Sequence, residues 1–505
     1  MAITSVGFGS TVIGQSVLSL KTQLDSLQAQ LASGKKSDTY SGMGVNEEFA
    51  VAARAQLANM SAFGDTMDKV NTTIDATNTA LQSLSSLSSQ VQAGAASTAQ
   101  TLNSNGQTNA QQAAFGALSS MLGVLNTQTG DRYLFSGSAI TTPSVVSEDT
   151  LLNGTGSQAG LKQVIAERQQ ADVGTGLGRL VITSPAPLPA TAASLTLAED
   201  VAGSPFGLKL AGVTSTLTGV IVTGPAGSPA SISVDLNGTN PNNGDAVNFT
   251  FNLPDGTTQS LTLTASTATP TPQGGFAIGA TPAATAANLN AALNTAIGSI
   301  ANTALVAASA VQAGNDFFAS PPLRVAGPPP LSGATALVPG TSANTVSWYT
   351  GEAGATPARA TAVARVDQSI TVQYGARANE PAIASQLKSI AVFAAFTTLA
   401  SGPTASGQVS EISARVAQNL ATKPGQQSIQ SIQADFASAQ QIMKDASSRQ
   451  TQAQTMLQTM VDKTETVSPD QVAAEILALQ TSLQASYQTT SMLSQLTLTK
   501  FLPVG

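Results

Sequence analysis

Apolar residues spaced alternately three and four positions apart are the feature of this sequence that most limits its fold. Near the C-terminus a long uninterrupted run keeps this spacing, namely Ile429, Ile432, Phe436, Ala439, Met443, Ala446, Gln450, Ala453, Leu457 and Met460. The repeat is the heptad pattern of a coiled coil. A helix with such a narrow apolar stripe is stable only when the stripe is buried against a partner. The pattern therefore predicts long helices that pack on other helices.

The N-terminal region carries the same spacing. Its first run joins Val17, Leu20, Leu24, Leu27 and Leu31. Gly34 is expected to end this helix, because glycine is the preferred residue just past a helix C-terminus. A second, longer run predicts one extended helix and includes Leu57, Met67, Ile74 and Leu81.

The last helix of the chain has a clear start signal. Ser468 can serve as N-cap, and Pro469 suits the first helical position. The apolar stripe that follows contains Val472, Ile476, Leu479 and Leu483. Helices are thus predicted at both ends of the chain.

Between about residues 140 and 380 the apolar period changes to two, which is typical of strands. Val247 to Leu253 alternate up to Asp255-Gly256, and Leu261 to Ala265 alternate after it, which predicts a hairpin. Thr281 and Pro282 are expected to begin one helix among these strands. The predicted fold class is α+β multidomain, with long antiparallel coiled-coil helices from both termini and a mainly β central insert.

These patterns divide the chain into five regions. We expect an N-terminal assembly helix, an N-terminal coiled-coil core, a variable and mainly β outer region, a C-terminal helical core and a C-terminal assembly helix; their ranges are 1–45, 46–140, 141–381, 382–467 and 468–505.

Two sets of apolar residues follow from this division. The intrachain coiled coil is predicted to use Leu57, Met67, Ile74, Leu81, Ile432, Phe436, Met443 and Leu457. The stripes at the extreme ends have few flanking charges and are predicted to associate between subunits. This assembly interface comprises Val17, Leu20, Leu24, Leu27, Leu31, Val472, Ile476, Leu479, Leu483 and Leu496.

The composition excludes much chemistry. The chain has no histidine and no cysteine, and charged residues make up only 10% of it. Zinc sites, thiolate nucleophiles and histidine proton relays therefore cannot form. We expect no enzyme activity, no cofactor and no metal site. The formal charge of −7 disfavours nucleic-acid binding, and no apolar run of membrane-spanning length is expected.

Three individual residues also receive a structural interpretation. Trp348 is expected to be a packing anchor, with contact to a neighbouring subunit as the alternative. Asp367 and Glu380 flank a predicted strand and are expected to be surface charges.

Several segments resemble the bacterial flagellin family. Leu27 to Gly42, LQAQLASGKKSDTYSG, is similar to the N-terminal signature of that family, and SYQTTSMLSQLTLTKFL near the C-terminus is similar to its closing helix. The segment GDRYLFSG around Tyr133 to Gly137 looks like the matching stretch of the junction-type member, hook-associated protein 3. The block from Trp348 to Pro381 also resembles the junction-type relatives.

This resemblance implies a structural, extracellular protein of the bacterial flagellum, exported without a cleaved signal peptide. Its expected partners are further copies of itself in a homopolymer, flagellar hook-associated proteins and a type III export chaperone. The expected function is the filament subunit, which forms the propeller for swimming motility. The hook-filament junction protein is the alternative within the family, and a secreted adhesin or binding module is a further alternative.

Overall fold

The computed structural model describes residues 4–39, 47–97, 101–183, 193–398 and 402–499. Its helices are α1 (Thr4–Ser33), α2 (Glu47–Ala95), α3 (Asn109–Leu125), α4 (Glu148–Asn153), α5 (Leu161–Val173), α6 (Pro282–Ala301), α7 (Ala304–Phe318), α8 (Pro381–Ala395), α9 (Ala405–Leu420), α10 (Ile429–Glu465) and α11 (Pro469–Thr499).

The strands are mostly short and lie between α3 and α8. They are β1 (Gln128–Thr129), β2 (Arg132–Tyr133), β3 (Gly154–Thr155), β4 (Gln158–Ala159), β5 (Leu180–Thr183), β6 (Ser194–Glu199), β7 (Lys209–Ser215), β8 (Ile221–Ala226), β9 (Ser231–Asp235), β10 (Ala246–Asn252), β11 (Thr258–Ser266), β12 (Gly275–Ala277), β13 (Leu323–Val325), β14 (Leu337–Pro339), β15 (Val363–Arg365) and β16 (Thr371–Gln373).

The chain forms two compact units. Unit 1 comprises Met1–Val70, Ala364–Val372 and Gln440–Gly505, and unit 2 comprises Asn71–Val363 and Gln373–Ala439. Each unit therefore combines segments that are far apart in the sequence.

Unit 1 is mainly helical. Helices α1 and α11 lie side by side in it. The segment 364–372 packs on α10, where the buried amide of Gln450 donates a hydrogen bond from Nε2 to the carbonyl oxygen of Val366 at 2.7 Å. Because Gln450 is the polar member of the α10 stripe, its position in the sequence already marks a site with a specific hydrogen-bond partner.

Unit 2 contains two four-stranded sheets, with strand orders β5-β6-β9-β8 and β12-β11-β10-β7. The first is antiparallel throughout, and in the second only β11 and β12 pair in parallel. Alternate side chains of the strands meet helix α6 in one core, which includes Ile232, Phe249, Phe251 and Leu293. This inside-outside alternation is the physical origin of the period of two in the sequence.

The predicted fold class is wrong. The chain is a mixed helix and strand protein that is 52% helical, with helices at both ends, and the described residues do not show long terminal coiled-coil helices flanking a β insert. The region 141–381 contains α4, α5, α6 and α7 in addition to its strands. Moreover, no side chain described on α1 is fully buried, as the seam of a coiled coil would be.

Helices α5 and α7 were not predicted from the sequence, and their composition explains why. Helix α7 buries mainly small side chains, including Ala304, Ala307, Ala308 and Ala313. Helix α5 buries Arg168 and Asp172 alongside apolar residues. Alanines and a buried ion pair give no stripe of large apolar residues, so the periodicity that identifies other helices is missing from these two.

Several local predictions are confirmed. Helix α1 ends at Ser33, and Gly34 follows with the positive φ of +70° that favours glycine. Strands β10 and β11 pair around the Asp255-Gly256 turn. Thr281 caps α6, since its side chain accepts a hydrogen bond from the backbone N–H of Ala284.

Within the part of the chain that the structure describes, one helical stretch, Pro282–Phe318, is long and apolar enough to cross a membrane, so the expectation that no such run exists is wrong. About half of its most apolar part is buried inside the protein. The stretch consists of α6 and α7, which contribute Leu289, Leu293 and Leu305 to the core of unit 2. Its apolar character is therefore accounted for by packing in that core.

Candidate functional site

The candidate functional site is the pair of helices α1 and α11 in unit 1. The residues after α1 and those before α11 form a short antiparallel ladder, in which Lys35 pairs with Thr466. The backbone N–H of Lys36 donates to the carbonyl of Glu465 at 2.7 Å, and the N–H of Val467 donates to the carbonyl of Gly34 at 3.1 Å. Since one helix ends where the other begins, the two run antiparallel.

An ion pair lies next to the point where α1 ends and α11 begins. Arg54 on α2 donates from Nε to Oε1 of Glu465 at 2.7 Å, and its Nη2 contacts Oε2 of the same carboxylate. The side chain of Glu465 is only 6% exposed. The hydrogen bond from Arg54 lowers the pKa of Glu465, and the charges of Arg54 and Lys35 act in the same direction. The carboxylate is therefore stabilised in its charged form.

The residues predicted for the assembly interface differ in how deeply they are buried. On α1, Val17, Leu20, Leu24 and Leu27 are half-buried, and Leu31 is exposed. On α11, Val472, Ile476 and Leu483 are buried and Leu479 is half-buried. Leu27 and Leu479 line one groove between the two helices. Leu496 lies in α11, but its side chain falls outside the described residues.

The residues predicted for the intrachain coiled coil lie on α2 and α10, and most of them are buried. The buried ones are Met67, Ile74, Leu81, Ile432, Phe436 and Met443, whereas Leu57 and Leu457 are half-buried. Phe436 also has a contact that the heptad pattern did not predict. The guanidinium of Arg359 stacks over its ring, 4.3 Å from the centroid.

Both helices of the pair also carry apolar side chains on the side away from these stripes. Leu18 on α1 is 66% exposed, and Leu477 on α11 is 65% exposed. At about 100° per residue, Leu18 points roughly 160° away from Leu20, and Leu477 points roughly 120° away from Leu483. The stripe predicted from the sequence omitted these residues, although a helical wheel drawn for the whole helix would have found them.

Among the described residues, more exposed large hydrophobic side chains lie in unit 1 than in unit 2. They are Val12, Leu18, Leu31, Phe49, Val51, Ile442, Met456, Met460, Leu477, Tyr487 and Met492. The larger unit 2 exposes fewer, namely Phe115, Val181, Val201, Ile221, Val338 and Val363. Clusters of exposed apolar side chains typically mark interaction surfaces. The exposed sides of α1 and α11, which carry Leu18 and Leu477 respectively, are together called the outer helix face below.

Unit 2 brings together the stretches around Ser136, Glu352 and Arg377. Ser136 forms an antiparallel bridge with Arg377. The N–H of Ala378 donates to the carbonyl of Phe135 at 2.9 Å, and the N–H of Glu352 donates to the carbonyl of Ser136 at 3.0 Å. Two stretches more than two hundred residues apart thus form one structural feature.

The remaining individual predictions have different outcomes. Trp348 is confirmed as a packing anchor, since it is 6% exposed and its ring lies 4.9 Å from that of Phe318. The prediction that Glu380 is a surface charge is wrong. It is 4% exposed and contacts the guanidinium of Arg359, a partner that sequence spacing does not reveal.

No group of three or more acidic side chains that could hold a metal ion occurs in the part of the chain that the structure describes. Comparisons with protein-family models, with curated proteins and with solved structures find no match to this chain.

Proposed function

We propose that this protein is a structural subunit of the bacterial flagellar filament that assembles through its terminal helices. The observation that carries the proposal is the outer helix face, with Leu18 and Leu477 each about two-thirds exposed in the single chain. An apolar side chain on a solvent-facing helix gains free energy when a neighbouring copy covers it. A contact of this kind that repeats without closing on itself produces a fibre.

The resemblance to flagellins is the reason for proposing that the polymer is a flagellar filament. The flagellin-like segments include the last residues of α1 and the C-terminal part of α11, the helices that carry the outer helix face. In this proposal the subunit is extracellular and has no catalytic activity. It meets hook-associated proteins at the base of the filament and an export chaperone before assembly.

The proposal is tested by assembly of the purified chain. We expect electron microscopy of concentrated, salt-precipitated protein to show long fibres. Deletion of residues 468–505 should abolish them, while the fluorescence of the single Trp348 still reports a folded unit 2. Fibres that persist without α11, or a full-length chain that stays monomeric at high concentration, would contradict the proposal.

A second candidate, the hook-filament junction protein, is favoured by one observation. The two segments that resemble junction-type relatives meet through the hydrogen bonds of Ser136, Phe135 and Ala378. The two functions differ in stoichiometry. Quantitative mass spectrometry of purified flagella should find the chain in very many copies if it forms the filament, and in few copies if it forms the junction.

A further inference from the structure

Unit 2 contains a polar cavity of about 420 Å³. It is bounded by the second half of α2, by α7, α8 and α9, by the turn between β10 and β11, and by residues 421–430. Hydroxyl and amide side chains dominate its lining, which includes Ser88, Gln92, Asn315, Gln386 and Asn419. A volume in the range of about 300–1,000 Å³ is typical of small-molecule sites.

Lys388 is the central charged group of this cavity. It lies on α8 and is half-buried. Its Nζ donates to Oδ1 of Asn315 at 2.6 Å, and no carboxylate in the described part of the chain lies within 4.0 Å of it. An ammonium group has three N–H donors, so two remain for a ligand.

The stem of Lys388 is held in place by helix packing. A Cβ atom built on Gly314 of α7 would lie 2.4 Å from Cγ2 of Val392 and 3.4 Å from Cγ of Lys388. Only glycine at this position lets α8 approach so closely. The approach directs the aliphatic stem of Lys388 along α7 toward Asn315.

Lys388 and Lys423 are the two cations lining the cavity that have no carboxylate within 4.0 Å among the described residues. Arg415 is neutralised, since its Nε donates to Oδ2 of Asp255 at 2.8 Å and its Nη1 contacts the carboxylate of Glu411. Lys423 lies at the rim and donates from Nζ to Oδ1 of Asn419 at 3.1 Å. Lys388 and Lys423 thus face the cavity as two cations bonded to neutral amides.

Burial of Lys388 has a cost in the unliganded protein. Desolvation lowers the pKa of its ammonium group, and the charge of Lys423 lowers it further. Stability falls when a charged group is buried without a counter-charge. A fold that keeps such a group in a cleft is typical of a binding site, where an anionic ligand supplies the missing charge.

We propose that this cavity binds a small hydroxylated carboxylate of the sugar-acid class. Lys388 and Lys423 hold the carboxylate of the ligand. Neighbouring amides and hydroxyls hold its hydroxyl groups. Gln386 is one of these, because its Oε1 accepts from Ser88 at 2.9 Å while its Nε2 has no acceptor among the described residues. This binding function is additional to assembly and does not depend on it.

The test uses the full chain and calorimetric titration with D-glucuronate, neutral D-glucose and inorganic phosphate. We expect glucuronate to bind at least tenfold more tightly than glucose, because only glucuronate carries the carboxylate. It should also bind more tightly than phosphate, because the amides of the lining recognise its hydroxyl groups. Equal binding of glucuronate and glucose would overturn the proposal, and so would tighter binding of phosphate.

Two variants connect the binding to Lys388. Lys388→Met should weaken glucuronate binding at least tenfold and raise the denaturant midpoint, because the uncompensated charge is removed. The matched control is Lys162→Met, which replaces an exposed lysine of the same unit and should change neither quantity. Unchanged glucuronate affinity in Lys388→Met would refute the site, and the raised midpoint excludes misfolding as the reason for a loss of binding.

Discussion

Replacement of Leu477 by alanine tests whether the outer helix face is the assembly surface. Leu477 is 65% exposed in the single chain, so its truncation removes little packing within unit 1. Leu483 on the same helix is only 8% exposed. Leu483→Ala should therefore destabilise unit 1 by about 2–5 kcal/mol, whereas Leu477→Ala should leave its stability nearly unchanged.

The expected effect on assembly follows from the exposed area. Complete burial of a leucine side chain contributes about 1.5–3 kcal/mol. About two-thirds of the side chain of Leu477 is available for burial by a neighbouring copy, so the contact contributes about 1–2 kcal/mol. A loss of this size raises the critical concentration for polymerisation about 5–30-fold.

The assay measures the concentration of soluble protein that remains after high-speed sedimentation of the polymer. The matched control is Ile221→Ala on strand β8 of unit 2, where the side chain is 53% exposed. Its critical concentration should stay within about twofold of wild type. If Leu477→Ala polymerises like wild type, or if Ile221→Ala impairs polymerisation as strongly, the outer helix face is not the assembly surface.

The remaining predictions concern the stability of the single chain. Arg168→Met should lower the free energy of unfolding by about 3–5 kcal/mol, because it leaves the two carboxylates that Arg168 pairs with buried and without a cation; tryptophan fluorescence in denaturant measures this change. The folded-state pKa of Glu465 is lowered from its ordinary value of 4.5 by Arg54. Its charged form therefore stabilises the fold above pH 4.5, and that stability is lost as the pH falls through the lowered pKa; circular dichroism should show a smaller loss of helix stability on acidification in Glu465→Gln. Gly106→Ala places a Cβ 1.7 Å from a backbone oxygen at a φ of +72°, so it should cost about 3 kcal/mol or more. Gly130→Ala shares the positive φ but meets no atom within 4 Å and should cost only about 1–2 kcal/mol in the same denaturant titration.

Features set by neighbouring residues were predictable. The hairpin around Asp255-Gly256 depends on a turn that few residue pairs adopt, and on alternation within the two adjoining strands. The start of α6 depends on one capping residue followed by proline, and α11 begins at the predicted proline, Pro469. Each signal lies within a few positions of the structure that it specifies, which explains why it is visible in a single sequence.

Features set by distant residues were not predictable. Arg168 forms ion pairs with Asp172 on its own helix and with Asp316 on α7. The i,i+4 spacing of the first pair is visible in the sequence, but the burial of all three groups is not. The cavity around Lys388 likewise depends on the convergence of α2, α7, α8 and α9, and no spacing along the chain reports this convergence.

By itself, the sequence determined which segments of unit 1 are helical and which chemistry is absent, since a chain without histidine or cysteine cannot use their side chains. Only the tertiary structure decided which faces of those helices are covered, that α5 and α7 are helices in the central region, and which charges are left without a partner. The reason is physical. Periodicity reflects the local backbone geometry and one apolar face, whereas the group that covers that face, or neutralises a buried charge, comes from residues far away in the chain.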